Sequence, residues 1–146
     1  MVAGRDATYR LRVAAGFLEE THQDAELSRW RSAVATAQLA VENAAKAVLA
    51  LLGPVGRIYN PAVQFRQALG DELFPVALRE HVTRLAELAE TLGFDIHIQT
   101  DYGDEMGGRT PWELFDEADA RQAQELAEEA VSVASSVVSA LVGPTP

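Results

Sequence analysis

A stretch of small and aliphatic residues, QLAVENAAKAVLALLG at 38–53, constrains the fold of this 146-residue chain more than any other segment. Apolar residues recur in steps of three and four over about 25–52, the spacing of one face of an α-helix. This face comprises Trp30, Val34, Ala37, Val41, Ala44, Val48 and Leu51. A second stripe of Ala33, Ala40 and Ala47 would let another backbone approach closely. The two stripes predict a central helix with apolar surface to spare for a homodimer contact.

The rest of the chain predicts three more long helices and one short helix. The long helices are expected at about 6–21, from near Asp71 or Pro75 to Gly93, and from the capping box at Thr110 to Gly143. Asp24 and Glu26 are expected to open the second helix, and the short helix is expected at 61–69. Residues 94–109 predict a long irregular connection, functional or mobile. The fold expected is an all-α, antiparallel up-and-down four-helix bundle with one additional short helix, in a single domain over 1–146.

Charge and composition exclude several classes of function. A net charge of −10 argues against general nucleic-acid binding, which needs a concentrated basic surface. Arg binds phosphate bidentately, and 11 of the 12 basic residues are Arg, so the composition is compatible with a local basic pocket. A coding bias is the alternative explanation for the excess of Arg over Lys. The absence of cysteine excludes disulfides and thiolate metal sites. No apolar run reaches the ~18 residues of a membrane span and no signal-peptide pattern is present, so a cytoplasmic location is expected.

Histidines and clustered acids are the remaining candidates for chemistry. The spacing from Glu19 to His22 matches that of di-iron bundles, but no second copy occurs, which favours a solvated helix end. His81 lies on an apolar stripe and is interpreted as a packed core histidine. Asp101 and Asp104 are weak candidates for Mg²⁺ binding, with a solvated loop as the alternative. Because no phosphate loop, nucleophile elbow or paired histidines occur, no catalytic residue is predicted.

Five segments, in order over about residues 7–141, resemble the HEPN domain (higher eukaryotes and prokaryotes nucleotide-binding). RWRSAVATAQLAVENAAKAVLALLG resembles the second helix of the family, in which an Ala-rich run carries a Glu-Asn-x-x-Lys-Ala-like core. YRLRVAAGFLEE resembles the first helix, and LFDEADARQAQELAEEAVSVASSVV resembles the last. RIYNPAVQFRQAL takes the place of a Thr-His-Asp-x-x-x-Leu-Leu segment. IQTDYGDEM stands where many members have an Ala-Arg-Tyr-Pro-Asp-like turn.

The resemblance implies a non-catalytic member of this family. HEPN ribonucleases carry an Arg, then four to six residues, then a His, at a dimer interface. Here that Arg would fall at 15–17, 74–76 or 90–92, and none of these positions is Arg. The expectation is a homodimer that binds a nucleotide or partners a minimal nucleotidyltransferase, as in toxin–antitoxin-like pairs. A divergent ribonuclease using Arg57, His81 or His97 is the alternative, and a purely structural interaction module is a third.

The resemblance also places a ligand-binding groove. Its residues would be Glu42, Asn43, Lys46, Arg57, Tyr59 and Tyr102. Lys46 and Arg57 would meet phosphates and a tyrosine would stack on a base. Mg²⁺ held by Asp101 and Asp104 would offset the charge that Asp101 places where the family has Arg. Independently, Glu42 and Lys46 have the spacing and orientation of a favourable ion pair along one helix.

Overall fold

Helices make up most of residues 2–53 and 61–143, the parts of the chain that this computed structural model describes. The helices are α1 Val2–Glu26, α2 Trp30–Leu49, α3 Pro61–Gly70, α4 Arg79–Thr91, α5 Phe94–Tyr102, α6 Pro111–Leu114 and α7 Glu117–Val142. A 3₁₀ turn at Val76–Leu78 precedes α4. The described residues contain no β-strand, only one isolated bridge between Asp104 and Arg109. The fold is therefore the all-α helical bundle that the sequence predicts, with α1, α2, α4 and α7 as its long helices.

The central helix is α2, which packs against α1 and α7 and also contacts α3, α4, α5 and α6. Its alanines at 33, 40 and 47 are fully buried within the single chain, together with Val41 and Val48. Small side chains bring the neighbouring helix axes close, so this stripe is used inside the bundle. It leaves no spare apolar surface on these alanines for a second copy. The homodimer stays a prediction, with another face as its interface.

The first connection shows that α1 and α2 are antiparallel neighbours. Only Leu27–Arg29 separate them, and Ser28 adopts a positive φ of 57° there. The hydroxyls of Thr21 and Thr36 lie 2.9 Å apart between the helices. The prediction that Asp24 and Glu26 open the second helix is wrong, because both belong to α1. The polar residues near Thr21 continue α1, since Thr21 and Asp24 face Thr36 on α2 and His22 faces Gln124 on α7.

The predicted irregular connection is also wrong for most of its length, because residues 94–102 form α5. This helix ends at Gly103, whose φ is 70°, and a turn follows that is closed by two backbone hydrogen bonds between Asp104 and Arg109 (2.8 and 2.9 Å). Thr100 of α5 is 1% exposed and packs toward the bundle. Packing on α2 therefore organises a segment whose sequence carries little helical periodicity.

α3 confirms the predicted short helix, and α4 confirms the helix that ends before Gly93. His81 is exposed in the first turn of α4, so its interpretation as a packed core histidine is wrong. The face of α4 that packs on the core runs instead through Val82, Leu85 and Leu88. Within the described residues, no helix has an apolar stretch long enough to traverse a lipid bilayer.

Candidate functional site

The polar residues predicted to line a groove on α2 have partners inside the helix. Lys46 Nζ lies 3.3 Å from Glu42 Oε2, and the two side chains are only 13% and 18% exposed. Asn43 Nδ2 donates to the Leu39 carbonyl at 2.9 Å. Arg57 and Tyr59 lie outside the described residues. The predicted Glu42–Lys46 ion pair is confirmed, and it is a half-buried one.

Tyr102 lies at the opposite end of α2 from this pair. Arg31, in the first turn of α2, donates to the Thr100 carbonyl at 2.8 Å, which fixes the end of α5 beside that turn. Lys46 is 15 residues further along α2, roughly 22 Å at 1.5 Å per residue. The structure thus brings Glu42 and Lys46 together and does not place Tyr102 with them.

The two candidate metal ligands, Asp101 and Asp104, make separate local contacts. Asp101 Oδ2 lies 3.8 Å from His97 Nε2 on α5. Asp104 Oδ1 accepts from the Gly107 backbone N–H at 3.0 Å. Among the described residues no group of three or more His, Cys, Asp or Glu side chains is arranged to hold a metal ion.

A different site opens at the N-terminal end of α2, and the sequence analysis missed it. It is a cleft of about 470 Å³, called here the tryptophan cleft. Its lining residues are Ser28, Arg29, Trp30, Arg31, Ser32, Trp112 and Phe115. Both tryptophans of the chain lie here, and no acid among the described residues lines the cleft, although the chain has 22 acids.

The arginines of the tryptophan cleft keep their charge available. Across residues 2–53 and 61–143, neither Arg29 nor Arg31 forms an ion pair, whereas Arg66 binds Glu90 and Arg84 binds Glu129. Arg31 Nη2 donates to Ser32 Oγ at 3.1 Å, and its buried Nε has no hydrogen-bond partner within that part of the chain. The N-cap residue of α2 is Arg29, which offers no side-chain acceptor to the first-turn N–H groups. This end of α2 is therefore doubly positive, from side chains and from the helix dipole.

The aromatic side chains supply the apolar part of the tryptophan cleft. The Trp112 side chain is 72% exposed, and the guanidinium carbon of Arg31 lies 5.9 Å from its ring centroid. Trp30 is half-buried, with the Arg121 guanidinium 5.7 Å from its ring. In such cation–π contacts the guanidinium lies over the face of the ring. An anion attached to a planar ring fits this combination of charge and surface.

Two capping boxes hold Trp112 and the start of α7 in place. Thr110 Oγ1 accepts from the Glu113 N–H at 3.3 Å, and Glu113 Oε1 accepts from the Thr110 N–H at 3.1 Å. The predicted box is confirmed, although it starts α6 and not the last helix, which begins at a second box of Asp116 and Asp119. The hydrogen bond from the Thr110 backbone lowers the pKa of Glu113, and that from the Asp119 backbone lowers the pKa of Asp116.

The family model of the HEPN domain matches residues 7–142, nearly the whole chain. This chain belongs to the HEPN domain family. Neither a curated protein nor a solved structure matches it. The family unites nucleotide-binding and ribonuclease-like members, so the environment of each histidine bears on which class this HEPN protein joins.

The histidines of this HEPN domain face acids, an amide or solvent. His22 Nδ1 lies 2.8 Å from Gln124 Nε2, and its Nε2 lies 3.3 Å from Glu128. His97 has Asp101 nearby and stacks on Phe94 with ring centroids 6.3 Å apart. No hydrogen bond among the described residues joins a histidine to an arginine. His22 lies inside α1 and contacts Gln124 and Glu128 of α7, so it is not at the solvated helix end that the sequence favours.

One sequence signal pointed to the tryptophan cleft of this HEPN domain. Arg-Trp-Arg at 29–31 places an arginine on either side of a tryptophan, inside a run from 27 to 41 that contains no acid. The second tryptophan lies far along the sequence and joins this run only in the folded chain. The basic half of the site was therefore visible in the sequence, and the aromatic half was not.

Proposed function

We propose that this HEPN protein is a non-catalytic nucleotide-binding protein and that the tryptophan cleft is its binding site. The observation that carries the proposal is a cleft that combines both tryptophans of the chain with two arginines, and among the described residues no acid lines this cleft or pairs with these arginines. Its volume of about 470 Å³ lies within the range of small-molecule sites.

The parts of a nucleotide match the parts of the tryptophan cleft. The phosphates bind Arg29 and the first-turn N–H groups of α2, since a helix N-terminus and a guanidinium both favour anions. The base stacks on the exposed ring of Trp112, an interaction worth ~1–3 kcal/mol in proteins that bind single strands. Arg31 is held by the Thr100 carbonyl and contributes its charge from a fixed position. Any Mg²⁺ enters bound to the nucleotide.

Titration of intrinsic fluorescence tests this site directly, because both tryptophans line it. ATP, GTP, AMP and GMP, each with and without Mg²⁺, are the probes, and calorimetry measures their affinity. Binding is expected to weaken about tenfold or more in Arg29→Ala and Trp112→Ala, from the loss of a charge-assisted contact and of stacking. Arg66→Ala is the control, because Arg66 pairs with Glu90 on the surface and does not line the cleft. Affinities weaker than about millimolar for all four probes contradict the proposal, since ordinary metabolite sites are tighter.

The same titration separates this site from the groove predicted from the sequence. If Lys46→Ala and Arg57→Ala weaken binding while Trp112→Ala does not, the nucleotide binds the predicted groove at Glu42, Asn43 and Lys46, without Tyr102. That outcome keeps the nucleotide-binding function and moves its site. The cleft is favoured because Lys46 already has a carboxylate partner and Arg29 has none among the described residues.

The non-catalytic part of the proposal rests on the histidines. None has an Arg at the spacing of the family's ribonuclease motif, and the described contacts of His22 and His97 are with carboxylates, an amide and a phenyl ring. We expect purified protein to leave single-stranded RNA intact with and without Mg²⁺. Cleavage that survives repurification and disappears in His81→Ala or His97→Ala identifies a divergent ribonuclease instead.

A partner role is the second part of the proposed function. The resemblance supports a homodimer and association with a separately encoded minimal nucleotidyltransferase, as in toxin–antitoxin-like pairs. The absence of a signal-peptide pattern supports a cytoplasmic location. Sedimentation at micromolar concentration measures the oligomeric state against a chain mass of 15.8 kDa. Co-purification with a nucleotidyltransferase encoded beside this chain tests the partner, and its failure leaves nucleotide binding untouched.

A further inference from the structure

A second surface, on α5 and the turn that follows it, exposes more apolar area than folding requires. Phe94, Ile98 and Tyr102 are spaced by four and lie on one side of α5, exposed by 42%, 39% and 64%. Met106, at the tip of the turn, is fully exposed. A shallow groove of about 450 Å³ runs between this helix and the turn, with Leu114 at its base. We call Ile98, Tyr102 and Met106 with this groove the α5 face.

The backbone holds the α5 face in a fixed shape. Two hydrogen bonds between Asp104 and Arg109 close the turn, and the Asp104 carboxylate accepts from the Gly107 N–H inside it. The Gly103 N–H donates to the Gln99 carbonyl at 2.8 Å and ends α5. Arg31 ties Thr100 to α2 from the other side. The turn that carries Met106 is therefore ordered by hydrogen bonds and holds the methionine side chain in solvent.

Four carboxylates lie on α5 and the turn that follows it, and all four are exposed: Asp95, Asp101, Asp104 and Glu105. Asp104 and Glu105 line the groove of the α5 face. Within the described parts of the chain none of the four pairs with a lysine or arginine, and Asp101 alone has a histidine nearby. Arg109, on the same turn, donates instead to the Glu113 carbonyl at 2.9 Å. A second copy of this face would bring acids against acids, so self-association through it is disfavoured.

We propose that the α5 face docks a short amphipathic helix of a partner protein, apolar along one side and flanked by lysine or arginine. The apolar side covers Ile98, Tyr102 and Met106, and the flanking cations meet the carboxylates around them. Methionine suits such a surface because its flexible side chain adapts to the packed partner. The charges speed association and fix the orientation of the helix. This inference builds on the proposed partner role and is independent of nucleotide binding at the tryptophan cleft.

A synthetic probe tests the α5 face without knowledge of the natural partner. The probe is a helical peptide with leucine along one side and lysine at its margins, and the matched peptide carries glutamate in place of lysine. Amide chemical shifts of ¹⁵N-labelled protein are recorded during titration. Shifts are expected to concentrate at 98–106 with the lysine peptide, to diminish with added salt, and to be absent with the glutamate peptide.

Surface variants separate specific docking from attraction to an acidic protein. Met106→Ser and Ile98→Ser are each expected to weaken binding of the lysine peptide about tenfold. Glu105→Lys is expected to weaken this binding as well. Val76→Ser is the control, because Val76 is 77% exposed on the 3₁₀ turn, outside this surface. Shifts spread over the acidic faces of α7, or equal affinity in Met106→Ser and Val76→Ser, overturn the proposal. So does self-association that Met106→Ser abolishes, which assigns the face to a second copy.

The two proposals fail separately. Met106→Ser leaves nucleotide-dependent fluorescence unchanged if the tryptophan cleft binds independently of the α5 face. Arg29→Ala leaves peptide binding unchanged for the same reason. If Met106→Ser abolishes both nucleotide binding and peptide binding, the two sites are not independent, and the α5 face is not a separate docking site.

Discussion

Replacing Glu42 by glutamine is expected to destabilise the folded chain by about 2 kcal/mol. Lys46 is 13% exposed, and Glu42 Oε2, 3.3 Å away, is the partner of its ammonium group. At an effective dielectric constant near 20 two unit charges at this distance attract by about 5 kcal/mol, and desolvation cancels much of that. A charge-assisted hydrogen bond contributes ~1.5–3 kcal/mol net, and the substitution leaves the half-buried ammonium without its anion.

Glu117→Gln is the matched control, because Glu117 pairs with Arg121 at the same spacing and orientation. That pair is 52% and 60% exposed, so its loss should cost below about 1 kcal/mol, even with the helix-dipole contribution of a first-turn acid. Urea unfolding followed by circular dichroism measures both variants, with the slope checked for constancy. The double variant Glu42→Gln with Lys46→Met should recover most of the loss, since no buried charge is then left unpaired.

Equal free energies of unfolding for Glu42→Gln and Glu117→Gln would refute this reasoning. The Glu42–Lys46 pair would then be as well solvated as a surface pair. Lys46 would be free to bind an anion, and the groove predicted from the sequence would gain support over the tryptophan cleft.

Two further predictions concern the segments that carry the proposed sites. Gly103→Ala should destabilise the turn after α5, because φ is 70° there and an added Cβ collides with the Arg109 carbonyl; hydrogen exchange of residues 98–109 measures this effect. Gly16→Ala should stabilise the chain by ~0.5–1 kcal/mol, because the space around Gly16 in α1 is open, and urea unfolding measures the gain. Acid should weaken the capping boxes: the folded pKa values of Glu113 and Asp116 lie below their ordinary 4.5 and 3.8, so these caps stabilise fully above about pH 4.5 and lose this contribution as the pH falls through the folded values. Fluorescence of Trp112 should report the change, and Glu113→Gln should reduce it; an identical acid transition in that variant would contradict the assignment.

Periodicity predicted the bundle because the long helices repeat their apolar spacing over many turns. The stripe of α2 and the positions of Pro61 and Thr110 gave correct signals, since each depends on neighbours in the sequence. α5 lacks such a signal: it is 9 residues long and is organised by packing on α2. His81 was misplaced because the sequence expectation started this helix too early. His81 has the spacing of the core stripe but lies in the first turn of α4, where its side chain is exposed.

The candidate sites were predictable only where both partners lie on one helix. Glu42 and Lys46 are four residues apart, and spacing alone pairs them. Trp30 and Trp112 belong to different helices, and the position that each takes at the end of α2 depends on the whole bundle. The exposure of Met106 likewise depends on a turn closed by hydrogen bonds between Asp104 and Arg109, which the sequence does not predict.

The alanine-rich centre of α2 limits how its two ends can communicate. Alanine has no side-chain rotamers, so the buried positions from Ala33 to Ala47 have few alternative packings to switch between. The effect of a ligand in the tryptophan cleft is therefore not expected to reach Lys46 through a succession of side-chain rearrangements. Any signal along α2 has to move the helix as a rigid rod against α1 and α7, by shifts of about 1–2 Å. Such a rod would relay binding at one end as a single concerted step.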